Sequence, residues 1–119
     1  MFKLTDDYTY DWPVTIHVPA AGGKKEPHQV TIVYRALAQA EFEQLSREMI
    51  GAEPADAEGA TLDLFVRIVA GWGKDICDEL GAPLSYTREN LAALIARPYV
   101  RRAVLQGYIE SVNGAASKN

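Results

Sequence analysis

The chain has 119 residues, of which 48% are hydrophobic and 24% are charged, and its formal net charge is −4. A chain of this size can bury the core of one globular domain without disulfides or metals, so we expect a single domain over residues 1–119. The negative charge disfavours binding to the phosphate backbone of a nucleic acid, and no long run of Lys and Arg offsets it.

The first predicted element is an antiparallel β-hairpin. Residues 12–18 and 30–34 alternate apolar with polar side chains, which is the pattern of two half-buried strands. The segment 19–27 between them contains two glycines and two prolines, so we predict a long mobile loop there. Residues 2–4 or 8–10 are candidates for a third strand.

After the hairpin the apolar residues repeat at helical intervals. They predict an amphipathic helix over residues 38–49, with charged residues on its remaining faces. Small, acidic and proline residues then predict a solvated and poorly ordered linker over 51–59. Together with the hairpin, this change of period indicates an α+β fold.

Thr61 is predicted to cap a second helix, which is apolar around almost its whole circumference. Such a helix lies centrally in a fold or contacts a partner. The face that carries Leu64 and Ile68 is therefore our candidate surface for a homo-oligomer. The glycines at 71 and 73 are predicted to end this helix.

Two further helices complete the prediction after an irregular, acidic connection over residues 75–83. Thr87 is predicted to cap a short helix that ends at Ala96, and Pro98 to start a last helix that runs towards a tail over 114–119. Gly107 lies inside this last helix, where glycine costs about 1 kcal/mol relative to alanine. We therefore expect another helix or a strand to cross closely at Gly107. The predicted architecture is a hairpin or small sheet packed against about four helices.

Reactive residues are few. Cys77 could act as a nucleophile with His17 or His28 as its base, but the anions at 75, 78 and 79 disfavour the thiolate. The spacing of Cys and His completes no zinc site, and no glycine-rich segment has the context of a phosphate-binding loop. We predict no catalytic residue, no cofactor and no metal site. The alternative, a small enzyme that uses Cys77 or the histidines, predicts loss of activity in Cys77→Ala with an unchanged fold.

The same composition indicates a soluble cytosolic protein. Cys77 is the only cysteine, so no disulfide can form within the chain. No apolar run approaches the roughly 20 residues that are needed to cross a bilayer. Residues 1–10 have neither a basic start nor an apolar stretch, so we expect no secretory signal. We therefore expect no membrane partner.

The carboxy-terminal half contains a series of landmarks: Gly71-Trp72, Asp78-Glu79-Leu80-Gly81, Pro83-Leu84, Tyr86-Thr87 through Asn90-Leu91, Pro98-Tyr99-Val100-Arg101, and Gly114-Ala115-Ala116 with Lys118-Asn119. On these landmarks the chain resembles small bacteriophage tail assembly chaperones. Before Gly71 the resemblance is to a layout: a Phe2-Lys3-Leu4 start, a hairpin, a Tyr34-Arg35-Ala36-Leu37 exit and an acidic helix.

The resemblance implies a non-enzymatic protein of a phage or prophage, made in the cytoplasm of the host bacterium and missing from the mature virion. Such proteins bind the tape measure protein and keep it soluble while tail tube subunits assemble round it. The major tail tube protein is a further candidate partner. The candidate contact residues are aromatic, apolar and basic residues near the acidic connection, which could also be simple core residues: Trp72, Leu84, Tyr86, Tyr99, Arg101 and Arg102.

Two hypotheses accompany this resemblance. Related chaperones are made in two lengths by ribosomal frameshifting, and Lys118-Asn119 could be encoded by a slippery run of adenines. A frameshifted longer form would then be a partner of this chain. The competing function is a structural virion component, such as a tail completion or tube-associated protein, which would remain in purified particles.

Overall fold

The computed structural model describes residues 1–114 as a three-stranded antiparallel sheet and four helices, which confirms the predicted α+β class. Residues 115–119, most of the predicted tail, lie outside the described residues. In chain order the elements are β1 (Thr9–Ala20), β2 (Lys24–Arg35), α1 (Gln39–Ile50), α2 (Ala57–Ile68), β3 (Val69–Trp72), α3 (Arg88–Ile95) and α4 (Pro98–Asn113). The strand order in the sheet is β1, β2, β3. None of the helices within residues 1–114 combines the length and the apolar character that a membrane span requires.

The hairpin is longer than the sequence pattern predicts. β1 and β2 pair along their whole length, from Thr9 opposite Arg35 to Ala20 opposite Lys24. The loop predicted over 19–27 is instead a turn of three residues, Ala21–Gly23. Its two glycines have positive φ angles of 78° and 75°, which glycine adopts without steric cost.

The hairpin contains three prolines, Pro13, Pro19 and Pro27. Their nitrogens point away from the partner strand, so they do not interrupt the hydrogen bonds between β1 and β2. Thr31 is opposite Pro13, and its carbonyl oxygen accepts a hydrogen bond at 3.0 Å from the backbone N–H of Gly73. The polar backbone groups of Thr31 therefore face β3, so the pair with Pro13 does not exchange hydrogen bonds. Pro19 and Pro27 lie in pairs an even number of residues along the ladder from Pro13 and Thr31, so these pairs do not exchange hydrogen bonds either. The missing donors leave the ladder intact and make the free edges less suitable for pairing with another strand.

The third strand comes from Val69–Trp72, not from residues 2–4. It follows α2 directly and pairs antiparallel with β2 between Ile32 and Tyr34. Residues 9 and 10, part of the other candidate segment, extend β1 instead. The predicted helix therefore ends earlier than expected, because pairing with β2 outweighs the helical pattern of this short segment.

Most of the remaining helix boundaries agree with the sequence, but the start of α2 does not. The helix predicted over 38–49, the Thr87 cap and the Pro98 start are confirmed: the Thr87 hydroxyl oxygen accepts a hydrogen bond from the N–H of Asn90 at 3.0 Å. The Thr61 cap is wrong, because α2 begins at Ala57, and Thr61 lies inside it and donates to the Ala57 carbonyl. The last three residues of the linker predicted over 51–59 therefore belong to α2.

The core forms between one face of the sheet and α4. A Cβ atom at Gly107 would lie 2.7 Å from the Tyr34 hydroxyl and 2.9 Å from Cγ2 of Val14, which confirms the predicted close crossing. Leu64 and Ile68 are completely buried within their own chain. The face that they share is therefore not available for a homo-oligomer, which corrects that proposal.

Three tyrosines fill the core at the end of the sheet where β2 leaves it, and we call them the tyrosine cluster: Tyr10, Tyr34 and Tyr108. The hydroxyl of Tyr34 donates to the Val104 carbonyl at 2.7 Å, and that of Tyr108 accepts from the N–H of Leu37 at 3.0 Å. The rings of Tyr34 and Tyr108 pack edge to face with centroids 5.4 Å apart. Burial raises the pKa of both phenols.

Two arginines join the hairpin, α1 and α2 at this same end. Arg35 pairs with Asp7 at 2.6 Å and donates to the carbonyls of Val66 and Arg67, where the dipole of α2 favours a cation. Arg67 makes a two-pronged ion pair with Glu41, at 2.5 and 3.1 Å. Hydrogen bonds from Arg67 hold the pKa of Glu41 below its usual range.

Candidate partner-binding site

An apolar cavity of about 190 Å³ opens between the inner face of the sheet, α3 and α4. All but four of its lining residues are buried, and every buried one is Val, Ile or Leu. The four that reach solvent form its mouth: Trp72, Asp75, Cys77 and Leu94. Protein interiors are normally close-packed, so an open apolar void of this size is a binding-site candidate.

The cavity exists because several side chains in this middle part of the sheet and on the facing helix are short. Val30 lies on β2, and Val100 and Val104 lie on α4, whereas the neighbouring region carries the tyrosine cluster. A valine reaches less far than a phenol, so the helix and the sheet leave space between them. The sequence pattern marked these positions as core and contained no signal that they would line a void.

Three of the residues singled out from the sequence meet beside the mouth. The indole N–H of Trp72 donates to the Leu84 carbonyl at 2.7 Å, and the Trp72 and Tyr86 rings pack edge to face at 5.0 Å. The Tyr86 hydroxyl donates to the carbonyl of Val69 at 2.5 Å. The polar tips of both aromatic rings are thus satisfied by backbone, which holds Trp72 as one wall of the mouth.

The loop that follows β3 presents an apolar residue that sequence reasoning missed. The Asp78 carboxylate accepts hydrogen bonds from the N–H groups of Leu80 and Ala82, at 2.9 and 3.0 Å, and Cys77 forms an antiparallel bridge with Pro83. This tight turn leaves the Leu80 side chain 93% exposed. Its signal in the sequence is an apolar residue at a turn position that normally carries a polar one.

The other three predicted residues lie elsewhere. Tyr99 and Arg102 line a second groove, about 400 Å³, between β1 and α4, with Lys25 on its other side. Arg101 lines a surface between α2 and α3 and donates to the Ile95 carbonyl at 3.0 Å. The six residues therefore do not form one patch. Among residues 1–114, Asp75 is the only charged residue that lines the apolar cavity, and its carboxylate accepts a hydrogen bond from the Thr31 hydroxyl at 3.2 Å.

The residues considered for catalysis, Cys77, His17 and His28, make no hydrogen bond to one another within residues 1–114. The exposed Cys77 thiol donates to the Lys74 carbonyl at 3.2 Å. His17 and His28 belong to neighbouring cross-strand pairs, so their side chains point to opposite faces of the hairpin. Within residues 1–114 no group of three His, Cys, Asp or Glu side chains could hold a metal ion. The arrangement at the cavity suits binding of an apolar side chain.

Comparison of the chain with protein families, with curated proteins and with solved structures gives no match.

Proposed function

We propose that this chain is a non-enzymatic tail assembly chaperone of a phage or prophage. In this proposal it binds an apolar helical segment of the tape measure protein and keeps that protein soluble in the host cytoplasm while tail tube subunits assemble. The observation that carries the proposal is the open apolar cavity, with Trp72 at its mouth and Leu80 exposed on the adjacent loop. The identity of the partner comes from the resemblance in the landmarks after Gly71.

The size of the cavity suits one anchoring side chain. An apolar cavity of about 150 Å³ can hold a benzene molecule, and this cavity measures about 190 Å³. Complete burial of one Leu or Phe side chain contributes about 1.5–3 kcal/mol, which is too little for tight binding by itself. A long apolar client would thus be covered reversibly, as a chaperone that must release its client requires.

The charge at the mouth narrows the choice of client segment. Asp75 lines the cavity, and Asp78 and Glu79 follow it on the same loop. Complementary potentials favour association of oppositely charged surfaces. The segment bound here is therefore expected to carry Lys or Arg beside its apolar anchor.

Co-expression with the tape measure protein encoded in the same gene cluster tests the function directly. We expect the two proteins to purify together and the tape measure protein to stay in the soluble fraction, in contrast to its expression alone. An insoluble tape measure protein in the presence of this chain contradicts the proposal. Mass spectrometry of purified particles then tests the competing function, since a virion component remains in them.

Modification of Cys77 tests whether the client uses the cavity. The thiol is exposed at the mouth, so N-ethylmaleimide should add a bulky group there without altering the core. We expect the modified chain to bind the client at least tenfold more weakly, which corresponds to about 1.4 kcal/mol. Cys77→Ser is the matched control, because it cannot react and should bind equally well before and after treatment. Equal binding by the modified wild-type chain would place the client elsewhere.

A further inference from the structure

The second groove, between β1 and α4, follows the free edge of the sheet. On β1 it is lined by alternate residues whose side chains point away from the face packed on α4: Pro13, Thr15, His17 and Pro19. On the helix it is lined by residues at helical spacing, which share one face: Tyr99, Arg102, Ala103, Gln106 and Glu110. A groove lined by both sets must run along the edge between them, and we call it the edge groove.

Unused backbone groups lie along the edge groove. β1 is the first strand of the order β1, β2, β3, so one of its edges has no neighbouring strand within residues 1–114. Pro13 belongs to a pair that does not exchange hydrogen bonds, and Thr15 and His17 follow it by two and four residues. Their N–H and carbonyl groups therefore point out of the hairpin, and no backbone hydrogen bond from elsewhere in residues 1–114 reaches them. An extended segment added beside β1 can pair with these groups.

The prolines set the length of such a segment. Pro13 and Pro19 have no N–H, so the donors of the groove are those of Thr15 and His17 between them. A long strand would leave its own groups unpaired opposite the prolines. The edge groove is therefore suited to a short segment.

α4 runs beside β1 in the opposite direction. The Ser111 and Tyr10 hydroxyls are 2.7 Å apart, and Gly107 lies beside Val14. The first turns of α4 thus lie towards the hairpin turn, at the end of the groove that carries His17.

Two cations line that end of the groove. Lys25 on β2 is opposite Pro19, and Arg102 lies in the second turn of α4. Neither makes an ion pair within residues 1–114. Among the same residues the one acid that lines the groove is Glu110, two turns further along α4, and its carboxylate accepts a hydrogen bond from Gln106 at 3.1 Å. The positive charge at the end near the hairpin turn is thus free to attract carboxylates.

We propose that the edge groove binds a short, extended, acidic segment of a partner protein. The segment pairs with β1 at Thr15 and His17 and places its carboxylates beside Lys25 and Arg102. A second copy of this chain is disfavoured in this role, because its own edge would bring the same prolines and the same cations to the contact. The inference goes beyond the proposed function, since the edge groove shares no lining residue with the apolar cavity.

Fluorescence polarisation with labelled synthetic peptides tests the proposal on the wild-type chain and needs no tape measure protein. The probe has alternating Glu and Thr over about six residues, the usual length of a strand. We expect saturable binding, about tenfold tighter than that of the same peptide with Lys in place of Glu. Methylation of alternate backbone nitrogens should prevent binding for one of the two sets only, because only one set faces β1. Equal binding of the Glu and Lys peptides, or of the two methylated peptides, overturns the proposal.

Two pairs of variants locate the contact. Thr15→Pro removes a donor that the hairpin does not use, and Gln29→Pro makes the same change in the same cross-strand pair on the other edge. We expect about tenfold weaker binding of the Glu peptide for Thr15→Pro and unchanged binding for Gln29→Pro, with both chains folded by circular dichroism. Lys25→Gln should bind about threefold more weakly, whereas Lys24→Gln, outside the groove, should bind like the wild type. Equal effects within either pair overturn the proposed contact.

Sedimentation velocity distinguishes a partner segment from a second copy. We expect Thr15→Pro and the wild-type chain to have the same state of association. A wild-type dimer that Thr15→Pro dissociates would show that a second copy occupies this edge, which overturns the proposed partner.

Discussion

Two neighbouring regions of the sheet are packed against the same helix in different ways. In one region the tyrosine cluster fills the space between the strands and α4, and its hydroxyls are satisfied by Val104, Leu37 and Ser111. In the other region, near the middle of the strands, the sheet and the same helix meet α3 through Val, Ile and Leu, and an open cavity remains. The difference shows how a domain of this size can combine a well-packed core with an apolar site.

The boundary between the two regions passes through one pair of residues. Val14 and Val30 lie directly opposite each other in the hairpin. Val14 contacts the crossing at Gly107, whereas Val30 lines the cavity. Two identical side chains in one cross-strand pair therefore belong to different environments, and the same substitution should act on them in opposite directions.

The largest expected effect comes from removing the central phenol of the tyrosine cluster. Tyr34→Ala should lower the free energy of unfolding by about 4 kcal/mol, because truncation of a large buried ring leaves a cavity. Tyr86→Ala is the comparison beside the cavity, where the ring is partly exposed, and it should lose less than half as much. Urea denaturation measures both values. Equal losses would mean that the two regions contribute equally to stability.

Gly107→Ala should be the next most damaging change. The new Cβ would lie 2.7 Å from the Tyr34 hydroxyl and 2.9 Å from Val14, so the sheet and α4 must separate slightly. Overpacking and a weakened Tyr34 hydrogen bond should together lower the free energy of unfolding by about 2 kcal/mol, despite the better helix propensity of alanine. Gly59→Ala in α2 is the matched control: within residues 1–114 nothing lies within 4 Å of its Cβ, so it should stabilise the chain. An unchanged free energy of unfolding for Gly107→Ala would show that the sheet and α4 are not tightly packed at this crossing.

The tyrosine cluster should also be sensitive to alkaline pH. Burial raises the pKa of Tyr34, so the folded state keeps a proton that the unfolded chain releases above its ordinary pKa of about 10. Stability is therefore complete below about pH 10 and falls above it, by as much as about 1.4 kcal/mol per pH unit for one phenol. Tyr34→Phe should make this slope shallower in unfolding curves at pH 10 to 11. An unchanged slope would mean that other groups control alkaline unfolding.

The smallest effect gives the sharpest test of the boundary. Val30→Ile should stabilise the chain by about 0.8 kcal/mol, because the added carbon enters the cavity and loses contact with water. Val14→Ile should destabilise it by about 1 kcal/mol, since the space beside Gly107 is already full. Thermal unfolding of both variants provides the measurement. The same sign of change for both would mean that the cavity does not extend to Val30.

Local chemistry accounts for the parts of the fold that could be predicted. Thr87 caps α3, Pro98 begins α4, and Gly107 allows the close crossing, each for a reason present in the residue itself. The two prolines of the predicted loop led to the opposite result. They suggested that the strands stop there. A proline is tolerated in a strand if it lies in a pair that does not exchange hydrogen bonds, and the register with the partner strand decides whether it does.

The candidate site could be predicted only in part. Trp72, Leu84 and Tyr86 lie together, as their position near the acidic connection suggested, while Tyr99 and Arg102 face a different groove. Neighbouring residues in the first turn of a helix point in different directions. The packing of the helix decides which of them share a surface. The cavity has no sequence signal, because core positions that line a void have the same pattern as those that fill one.

The sequence by itself determined the α+β class, the hairpin, three of the four helix starts and the close contact at Gly107. The first three follow from periodicity and capping, which act over a few neighbouring residues, and a glycine inside a helix indicates a close crossing because it has no side chain. Only the tertiary structure decided that Val69–Trp72 becomes a strand, that Leu64 and Ile68 are buried, and that an apolar cavity opens beside Cys77. Each of those outcomes depends on how well distant side chains fill a shared space, and that is a property of the packed molecule.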